Sequence, residues 1–203
     1  MAAACSLVTV SAQDMKMKKD GAKMKMTMDE LKFWTMASQM TVKEQTEKAI
    51  FAGGCFWGIE YYFKKAEGVL STAVGFTGGD NANPTYRDVC SGKTGHAEAV
   101  EVVFDPAVTS FETLAKHFFE IHNPALVKKE SDKRSQYRSS VFYCNDEQKM
   151  IAEKLVEILK GKNYEVGTEI TKAGVFYKAE EYHQSYYNKK GKDDYGYRYK
   201  EKF

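Results

Sequence analysis

Cys55 is the residue whose setting most directly predicts chemistry. It follows Gly53 and Gly54, where an apolar stretch, residues 48–52, gives way to the amphipathic pattern of residues 55–66. Glycines permit a tight turn, and a helix start offers unpaired N–H groups and the positive end of the helix dipole. We therefore expect the pKa of Cys55 to be depressed and its sulfur to be nucleophilic near neutral pH. A buried, inert cysteine would not explain the glycines.

Glu98 could supply the proton that thiol chemistry needs. The segment 97–104 alternates as a strand does, which places Glu98 on the opposite face from Ala97 and Ala99. A carboxyl group among apolar neighbours has a raised pKa and can stay protonated as a general acid. The alternative is a solvent-facing glutamate, and Glu101 is our candidate for that role.

Two tyrosines could hold an oxygen atom at a reacting centre. Tyr86 and Tyr137 each lie in or beside a turn region that precedes a predicted strand. Functional residues concentrate in such loops, and a phenol O–H can stabilise developing negative charge on oxygen. Taken singly, a tyrosine in such a position is more often a packing residue than a catalytic one.

Helix and strand patterns predict a two-layer α+β domain. The predicted strands are 48–52, 69–77, 97–104 and 138–143, and the predicted helices are 55–66, 111–122 and 147–160. The order β-α-β-β-α-β is that of the ferredoxin-like split β-α-β plait, a sheet with its helices on one face. A weaker strand at 165–171, an extra C-terminal helix at 179–188 and a coil tail complete the prediction.

A change of composition near residue 48 predicts two parts. Residues 1–46 form a flexible Met/Lys-rich segment, and 47–203 form the packed domain with its tail; of nine methionines only Met150 follows residue 40. Val10-Ser11-Ala12 resembles a signal cleavage site, and Cys5 could be a lipoprotein cysteine. An ordinary disordered terminus explains both equally well. The compartment therefore stays open between the cytoplasm and export, either periplasmic or lipid-anchored.

Several classes of protein are disfavoured by the composition. The formal net charge is +2, from 30 basic and 28 acidic residues, so the whole chain carries no charge signal for nucleic acid or anionic membrane. No apolar run reaches the roughly 18 residues that a membrane span needs. The four cysteines form no CxxC pair, and the four histidines have no ligand spacing, so we expect no metal.

Five sequence strings together resemble one family. They are GCFWG, PTYRDVCSG, TGHAEAV, QYRSSVF and AEEYHQSYY, which begin at residues 54, 84, 94, 136 and 179. Over residues 47–199 the chain is similar to the A-type peptide-methionine sulfoxide reductases. The resemblance implies an oxidoreductase of protein repair under oxidative stress, which returns methionine S-sulfoxide, protein-bound or free, to methionine. Such enzymes reverse methionine oxidation one epimer at a time.

The resemblance also implies roles for the matched residues. Cys55 would attack the sulfoxide sulfur and become a sulfenic acid, while Glu98 would protonate the sulfoxide oxygen. Tyr86 and Tyr137 would hydrogen-bond that oxygen. Asp132 would help to order the site.

The remaining implied roles concern the substrate pocket and its surroundings. Phe56 and Trp57 would form the apolar wall that receives the methyl group on sulfur. His183 would line the site.

The sulfenic acid must then be reduced, and the tail offers no partner for this step. Residues 191–203 contain no cysteine, unlike the resolving pair that many family members carry there. No bound cofactor is expected. Thioredoxin, glutaredoxin or a small thiol would supply electrons from outside, or Cys90 would resolve the intermediate internally. Cys144 is a weaker candidate, and for both cysteines the alternative is small buried filler.

Two other functions stay open from the residues alone. One is a cysteine hydrolase that uses Cys55 with His96 or His183 as base and Glu98 as its orienter. The other is a non-catalytic domain that binds oxidised methionine or a partner. In the reductase interpretation the partners are oxidised proteins or free methionine sulfoxide and a thioredoxin-like reductant, without nucleic acid, and the chain acts as a monomer.

Overall fold

The computed structural model describes residues 27–29, 32, 46–125, 135–191 and 200–203. The chain divides into two units, residues 1–41 and 42–203. In the first unit, residues 28, 29 and 32 are helical and exposed. The second unit carries the sheet and the candidate site. No helix in the described part of the chain is both long and apolar enough to cross a membrane.

A six-stranded sheet forms the centre of the second unit, in the order β5-β4-β1-β3-β2-β6. Its strands are β1 Glu47–Gly53, β2 Val69–Thr77, β3 Ala97–Phe104, β4 Ser139–Tyr143, β5 Glu169–Lys172 and β6 Tyr177–Lys178. Neighbouring strands are antiparallel except for β4 and β5, which are parallel. The inner order β4-β1-β3-β2 with two crossover helices confirms the predicted α+β split plait.

The helices are α1 Phe56–Phe63, α2 Tyr86–Cys90, α3 Phe111–Ile121, α4 Asp146–Gly161 and α5 Tyr186–Lys190, with a 3₁₀ turn at Glu181–His183. Strands β2 and β3 have the predicted bounds. The predicted strand 165–171 is wrong at its start, and the predicted final helix is divided into the 3₁₀ turn and α5. The division occurs at Ser185, whose φ of 55° is left-handed and cannot continue a helix. Sequence reasoning missed α2 and β6.

The core lies between the sheet and α1, α3 and α4. The ring of Phe51 stacks between Phe63 and Phe118, with centroids 5.0 and 4.9 Å away. Phe51 points to this face, and Val100 and Val102 of β3 do the same. The other face is smaller and buries alanines such as Ala97 and Ala99. Because side chains alternate along a strand, Glu98 lies on the helical face with Val100.

Candidate active site

Cys55 occupies the turn between β1 and α1, as its N-cap residue. Gly54 has a φ of 100°, which favours glycine. A Cβ on Gly53 would lie 2.8 Å from the Phe118 ring and 3.0 Å from the His122 ring, so no larger side chain fits there without movement. The Cys55 carbonyl accepts the Gly58 N–H at 3.2 Å and so begins α1. The glycine pair therefore lets the strand turn tightly and delivers the cysteine to the helix start.

The protonation state of Cys55 differs from our expectation. Burial and the nearby Glu98 carboxylate raise its pKa to about 11, while the N–H groups of Trp57 and Gly58 act in the opposite direction. The predicted depression of the pKa is therefore wrong. The helix start does favour the thiolate, but desolvation and a neighbouring negative charge outweigh it. Cys55 is therefore predominantly a neutral thiol at pH 7, chiefly because its thiol is buried.

Glu98 is the buried carboxyl group of the site, 1% exposed. One oxygen accepts the Phe56 N–H at 3.1 Å, and the other accepts an N–H from the Gln136 amide at 3.1 Å. Burial raises its pKa to about 7, although both hydrogen bonds lower it. The expected raised pKa is confirmed. Glu101 lies on the other face and pairs with Lys48 at 3.1 Å, in the solvent-facing role that we gave it.

Gln136 is a site residue that sequence reasoning missed. Its carbonyl accepts the Glu98 N–H at 2.8 Å, and its side chain also contacts the same glutamate. The Gln136 amide nitrogen lies 3.6 Å from the Cys90 sulfur. Gln136 thus fixes Glu98 from two sides and brings Cys90 to the edge of the site.

Tyr86 is the first residue of α2, which begins with a capping box between Thr85 and Asp88. Its phenol has a raised pKa, first through burial and then through a hydrogen bond with Cys90 and the charges of Cys90 and Glu98. The phenol is therefore protonated at neutral pH and can donate a hydrogen bond.

Tyr137 lies in the turn beside Gln136 and is 45% exposed. Partial burial raises the pKa of its phenol, followed by the charges of Glu98 and Cys55. Both predicted tyrosines therefore lie close enough to the Glu98 carboxyl group for its charge to raise the pKa values of their phenols. Asp132, the other predicted polar site residue, lies outside the described residues.

Trp57 and Phe56 have different surroundings. Phe56 is completely buried and packs against Phe76 with ring centroids 5.9 Å apart. Trp57 is only partly buried and stacks on Tyr186 at 3.8 Å with an interplanar angle of 8°. Its indole N–H donates to His183 Nδ1 at 3.1 Å. Trp57 therefore presents ring surface near the site, with Phe56 beneath it in the core.

Buried polar side chains fasten the segment after β6 to the sheet and α1. The Gln184 amide accepts the Val74 N–H and donates to the Val74 carbonyl, both at 2.9 Å. Glu60 accepts the Ser185 N–H at 2.8 Å and the Thr72 hydroxyl at 3.0 Å. These contacts hold His183 and α5 beside the start of α1. Sequence reasoning missed Gln184 and Glu60 because nothing local marks a partner so distant in the chain.

The two other described cysteines lie in different places. Cys90 ends α2 and is exposed, as is Cys144 after β4. The idea that either is buried filler is wrong. Partial desolvation of its thiol and the charge of Glu101 raise the pKa of Cys144, while Lys48 lowers it. Lys48 lies at the opposite end of β1 from Cys55, so the Cys144 thiol is roughly 20 Å from that site.

The remaining histidines serve the scaffold. The His96 ring accepts the Gly79 N–H at Nδ1 and contacts the Asn81 carbonyl through Nε2 at 2.8 Å. His122 follows the last residue of α3 and is buried, and desolvation lowers its pKa to about 3. Among the described residues, no group of three or more His, Cys, Asp or Glu side chains could hold a metal ion.

Comparison with known proteins gives consistent results. Residues 47–203 match the family model described as peptide methionine sulfoxide reductase. The chain is 50% identical over 153 residues to peptide methionine sulfoxide reductase MsrA of Methanosarcina mazei, covering 73% of this chain and 72% of that relative.

Solved structures agree. Reduced Mxr1 of Saccharomyces cerevisiae has a TM-score of 0.67 at 30% identity, covering 79% of this chain and 92% of that one. Mxr1 in complex with Trx2 has a TM-score of 0.52 at 25% identity, covering 70% and 86%.

Proposed function

The chain belongs to the peptide methionine sulfoxide reductase family, and on that premise we propose which of its residues carry the reaction. It is a thiol-dependent enzyme that reduces methionine S-sulfoxide to methionine. The observation that carries our assignment is the pairing of Cys55 at the start of α1 with Glu98, a buried acid whose pKa is about 7. The sulfoxide oxygen is a poor leaving group, so the reaction requires both a nucleophile and an acid. Cys55 and Glu98 supply them.

The chemical step transfers one oxygen atom and two electrons. The Cys55 sulfur attacks the sulfoxide sulfur and forms an S–S bond while Glu98 protonates the sulfoxide oxygen. The S–O bond and then the transient S–S bond break as the hydroxyl group bonds to the Cys55 sulfur and the thioether leaves. One thiol and one sulfoxide thus become one sulfenic acid and one thioether, so the substrate sulfur is reduced as the cysteine sulfur is oxidised. Tyr86 and Tyr137 donate hydrogen bonds to the oxygen while its charge develops.

The proton of the pair is shared in this mechanism. The pKa is about 11 for Cys55 and about 7 for Glu98. At pH values between 7 and 11 the two groups therefore hold one proton together. Such strongly interacting groups titrate as a pair rather than as separate residues. The reactive form is the minor one, in which the thiolate faces a protonated Glu98. That form has the nucleophile and the acid ready at once.

The substrate methyl group is received by Trp57 in our proposal. Phe56, the other implied wall residue, has no exposed surface, so it supports Trp57 from beneath. His183 contributes by holding the indole N–H. The role of Asp132 stays a prediction.

The sulfenic acid is reduced by an external thiol. Two external thiols return Cys55 to a thiol, form one disulfide and release water. The family draws on thiol reductants such as thioredoxin, and a relative, Mxr1, has been solved in complex with Trx2. Glutaredoxin and small thiols are further candidates. Cys90, which contacts Gln136, stays our internal candidate, whereas Cys144 lies at the wrong end of β1.

Thiol counting after one turnover separates these routes. The reduced enzyme is mixed with excess S-sulfoxide and no reductant, and its thiols and intact mass are measured. Loss of one thiol with a gain of one oxygen supports external reduction. Loss of two thiols with no added oxygen, abolished in Cys90→Ser but not in Cys144→Ser, supports Cys90 as the resolving cysteine.

The hydrolase alternative is not favoured. Both His96 nitrogens contact the backbone of the loop at Gly79 and Asn81, and His183 Nδ1 already accepts from Trp57. Neither histidine contacts the Cys55 thiol among the hydrogen bonds of the described residues.

The organisation of the chain is also part of the proposal. We propose that residues 47–203 form the reductase domain, which the family match over the same residues supports. The predicted Met/Lys-rich segment, residues 1–46, lies mostly outside the described residues and stays a prediction. We also propose that the enzyme acts as a monomer. Sedimentation of the full chain tests this last point.

Epimer selectivity tests the function as a whole. The full-length enzyme is incubated with a peptide that carries methionine S-sulfoxide or R-sulfoxide, together with a thiol reductant. We expect thioether only from the S-epimer, with one equivalent of disulfide for each thioether. Equal consumption of both epimers, or acyl transfer without disulfide, would refute the proposal.

A further inference from the structure

We propose that Glu180 is a positioning residue that fixes Trp57 in the site through His183; this inference rests on the proposed function. Glu180 comes directly before the 3₁₀ turn, and none of the roles assigned above involves it. Its Oε2 atom and His183 Nε2 lie 3.9 Å apart. Both atoms are buried, and neither has a hydrogen-bond partner among the described residues. Two buried polar atoms of opposite character therefore face each other with no other partner.

The tautomer of His183 follows from its contact with Trp57. The indole nitrogen is a donor only, so His183 Nδ1 must accept. A neutral imidazole with Nδ1 as acceptor carries its proton on Nε2. That N–H group faces Glu180 Oε2. A carboxylate is an acceptor only, and it stabilises this tautomer over the one that would set Nδ1–H against the indole N–H.

The distance of 3.9 Å suits a contact that closes by a small movement or through one water molecule. The Glu180 side chain is 40% exposed, so it has room to move, whereas His183 is held at 1% exposure. Rings of Phe56 and Tyr86 flank the imidazole, with centroids at 5.3 and 4.4 Å. The imidazole is thus fixed, and the carboxylate is the adjustable member.

The same carboxylate reaches a second site element. Its Oε1 atom accepts the Tyr86 N–H at 3.2 Å. Glu180 therefore joins the helix that carries the tyrosine to the histidine that holds the tryptophan. One carboxylate keeps the spacing between Trp57, which receives the methyl group, and Tyr86, which receives the oxygen.

The substitution Glu180→Gln tests this link because it keeps the size and removes one acceptor. The amide oxygen continues to accept the Tyr86 N–H, which leaves the amide NH₂ facing the donor Nε2–H of His183. Trp57 then loses its fixed orientation. We expect KM for the S-sulfoxide to rise roughly fivefold to tenfold with little change in kcat, the effect of one weakened hydrogen bond on a binding group.

A spectroscopic measurement checks the same link without turnover. The chain has two tryptophans, Trp34 and Trp57, so a Trp34→Phe background reports Trp57 alone. We expect Glu180→Gln to shift its fluorescence emission, because the hydrogen bond to the indole N–H changes. A residue with a merely structural role would alter the melting temperature and leave this emission unchanged.

Glu181→Gln is the matched control. It makes the same charge change one residue away, but Glu181 is 79% exposed and pairs with Lys189 at the surface. We expect its KM and emission to equal those of the parent. If Glu180→Gln also matches the parent in KM and emission while the parent reduces S-sulfoxide, the link is wrong and the function stands. If the parent does not reduce S-sulfoxide, the proposed function fails, and the emission comparison alone decides the link.

Discussion

Strand β3 carries two carboxylates, Glu98 and Glu101, and each influences a cysteine. Burial raises the pKa of both thiols, and the charge of Glu98 adds to the rise at Cys55 as that of Glu101 does at Cys144. The surroundings differ in three ways. Glu98 is buried and bonded to N–H donors, whereas Glu101 pairs with a lysine. Cys55 begins a helix, whereas Cys144 follows a strand. The first thiol is partly buried, whereas the second is exposed.

A thiol beside a carboxylate is thus not by itself an active site. Glu101 pairs with Lys48 at 3.1 Å, near the surface. Burial raises the pKa of Glu98 to about 7, so Glu98 is half protonated near pH 7 and can act as an acid. Burial raises the pKa of both Cys55 and Glu98. It keeps Cys55 from ionising, but it also keeps a proton on Glu98 that can be donated near neutral pH. The predictions below test this contrast between the two pairs.

The largest difference is expected between the cysteines themselves. Cys55→Ser should reduce turnover of S-sulfoxide by more than about 1,000-fold, because a neutral hydroxyl is a far weaker nucleophile than a thiolate. Cys144→Ser should leave turnover unchanged. Thioether formation under saturating reductant measures both. Full activity in Cys55→Ser, or loss of activity in Cys144→Ser, would contradict the assignment.

Substitution of the two glutamates should change the rate of the reductive step by different factors, and the difference should be smaller than for the cysteines. Glu98→Gln keeps the shape but cannot donate a proton from a carboxyl group, so the reductive step should slow by about 100-fold or more. Glu101→Gln should stay within about twofold of the parent. Single-turnover stopped-flow measurements isolate this step from reduction of the sulfenic acid. Equal rates in the two variants would mean that the buried position of Glu98 has no catalytic value.

The pH dependence should show the shared proton of the pair. The reactive form needs a protonated Glu98, with a pKa of about 7, and an ionised Cys55, with a pKa of about 11. Below pH 7 both groups are protonated, so kcat/KM should fall about tenfold for each unit of decreasing pH. Between pH 7 and 11 one proton is present, and kcat/KM should be level.

Glu98→Gln supplies the control for that profile. Without the carboxylate, the plateau above pH 7 should disappear and the residual activity should keep rising with pH as Cys55 ionises. The profile is measured on S-sulfoxide between pH 5 and 9, with Glu101→Gln expected to match the parent. A parent profile that rises steadily through pH 9 would exclude the pairing.

The smallest effect concerns stability. Folding raises the pKa of Glu98 from 4.5 to about 7, so the folded chain holds this proton more tightly than the unfolded chain. Stability contributed by the protonated form is therefore lost as pH rises from about 4.5 to 7. Glu98→Gln should raise the melting temperature at pH 8 by roughly 2–5 °C, and by less at pH 5.

Glu101→Gln is again the comparison. Its partner Lys48 is largely exposed, and a surface ion pair contributes little, so the melting temperature should change by about 1 °C or less. Calorimetry at both pH values checks the two variants. A lower melting temperature for Glu98→Gln at pH 8 would show that burial of this carboxyl group is not a destabilising feature.

Local pattern was enough to predict the elements that hold the site. Strand β3 was predicted to the residue because its alternating Ala, Glu and Val side chains end at Asp105-Pro106. The same alternation placed Glu98 on the apolar face. Helix α2, with five residues, is too short for a helical period to show. Its one local signal was the Thr85-x-x-Asp88 capping box, which sequence reasoning did not use.

Other properties of the site arise only when distant segments meet. Phe56 and Gln136, which bind Glu98, lie 42 and 38 residues from it in the chain. The pKa of Cys55 follows from burial and from that same glutamate, so its direction could not be read from the glycine turn alone. His183 lies 126 residues from Trp57, and only the motif resemblance had suggested that it belongs to the site.

The segment that follows β6 is weakly attached to the sheet, and this affects how the enzyme loses activity. Strand β6 pairs with β2 over two residues only, and beyond it the segment is held chiefly by side chains such as Gln184 and Glu60. Regions with few ladder hydrogen bonds open locally, well below the free energy of global unfolding. Amide hydrogen exchange should therefore be faster in residues 179–190 than in β1 or β3. In mild denaturant the contacts that hold Trp57 in place would be lost first. Substrate affinity would then fall while the sheet is still folded.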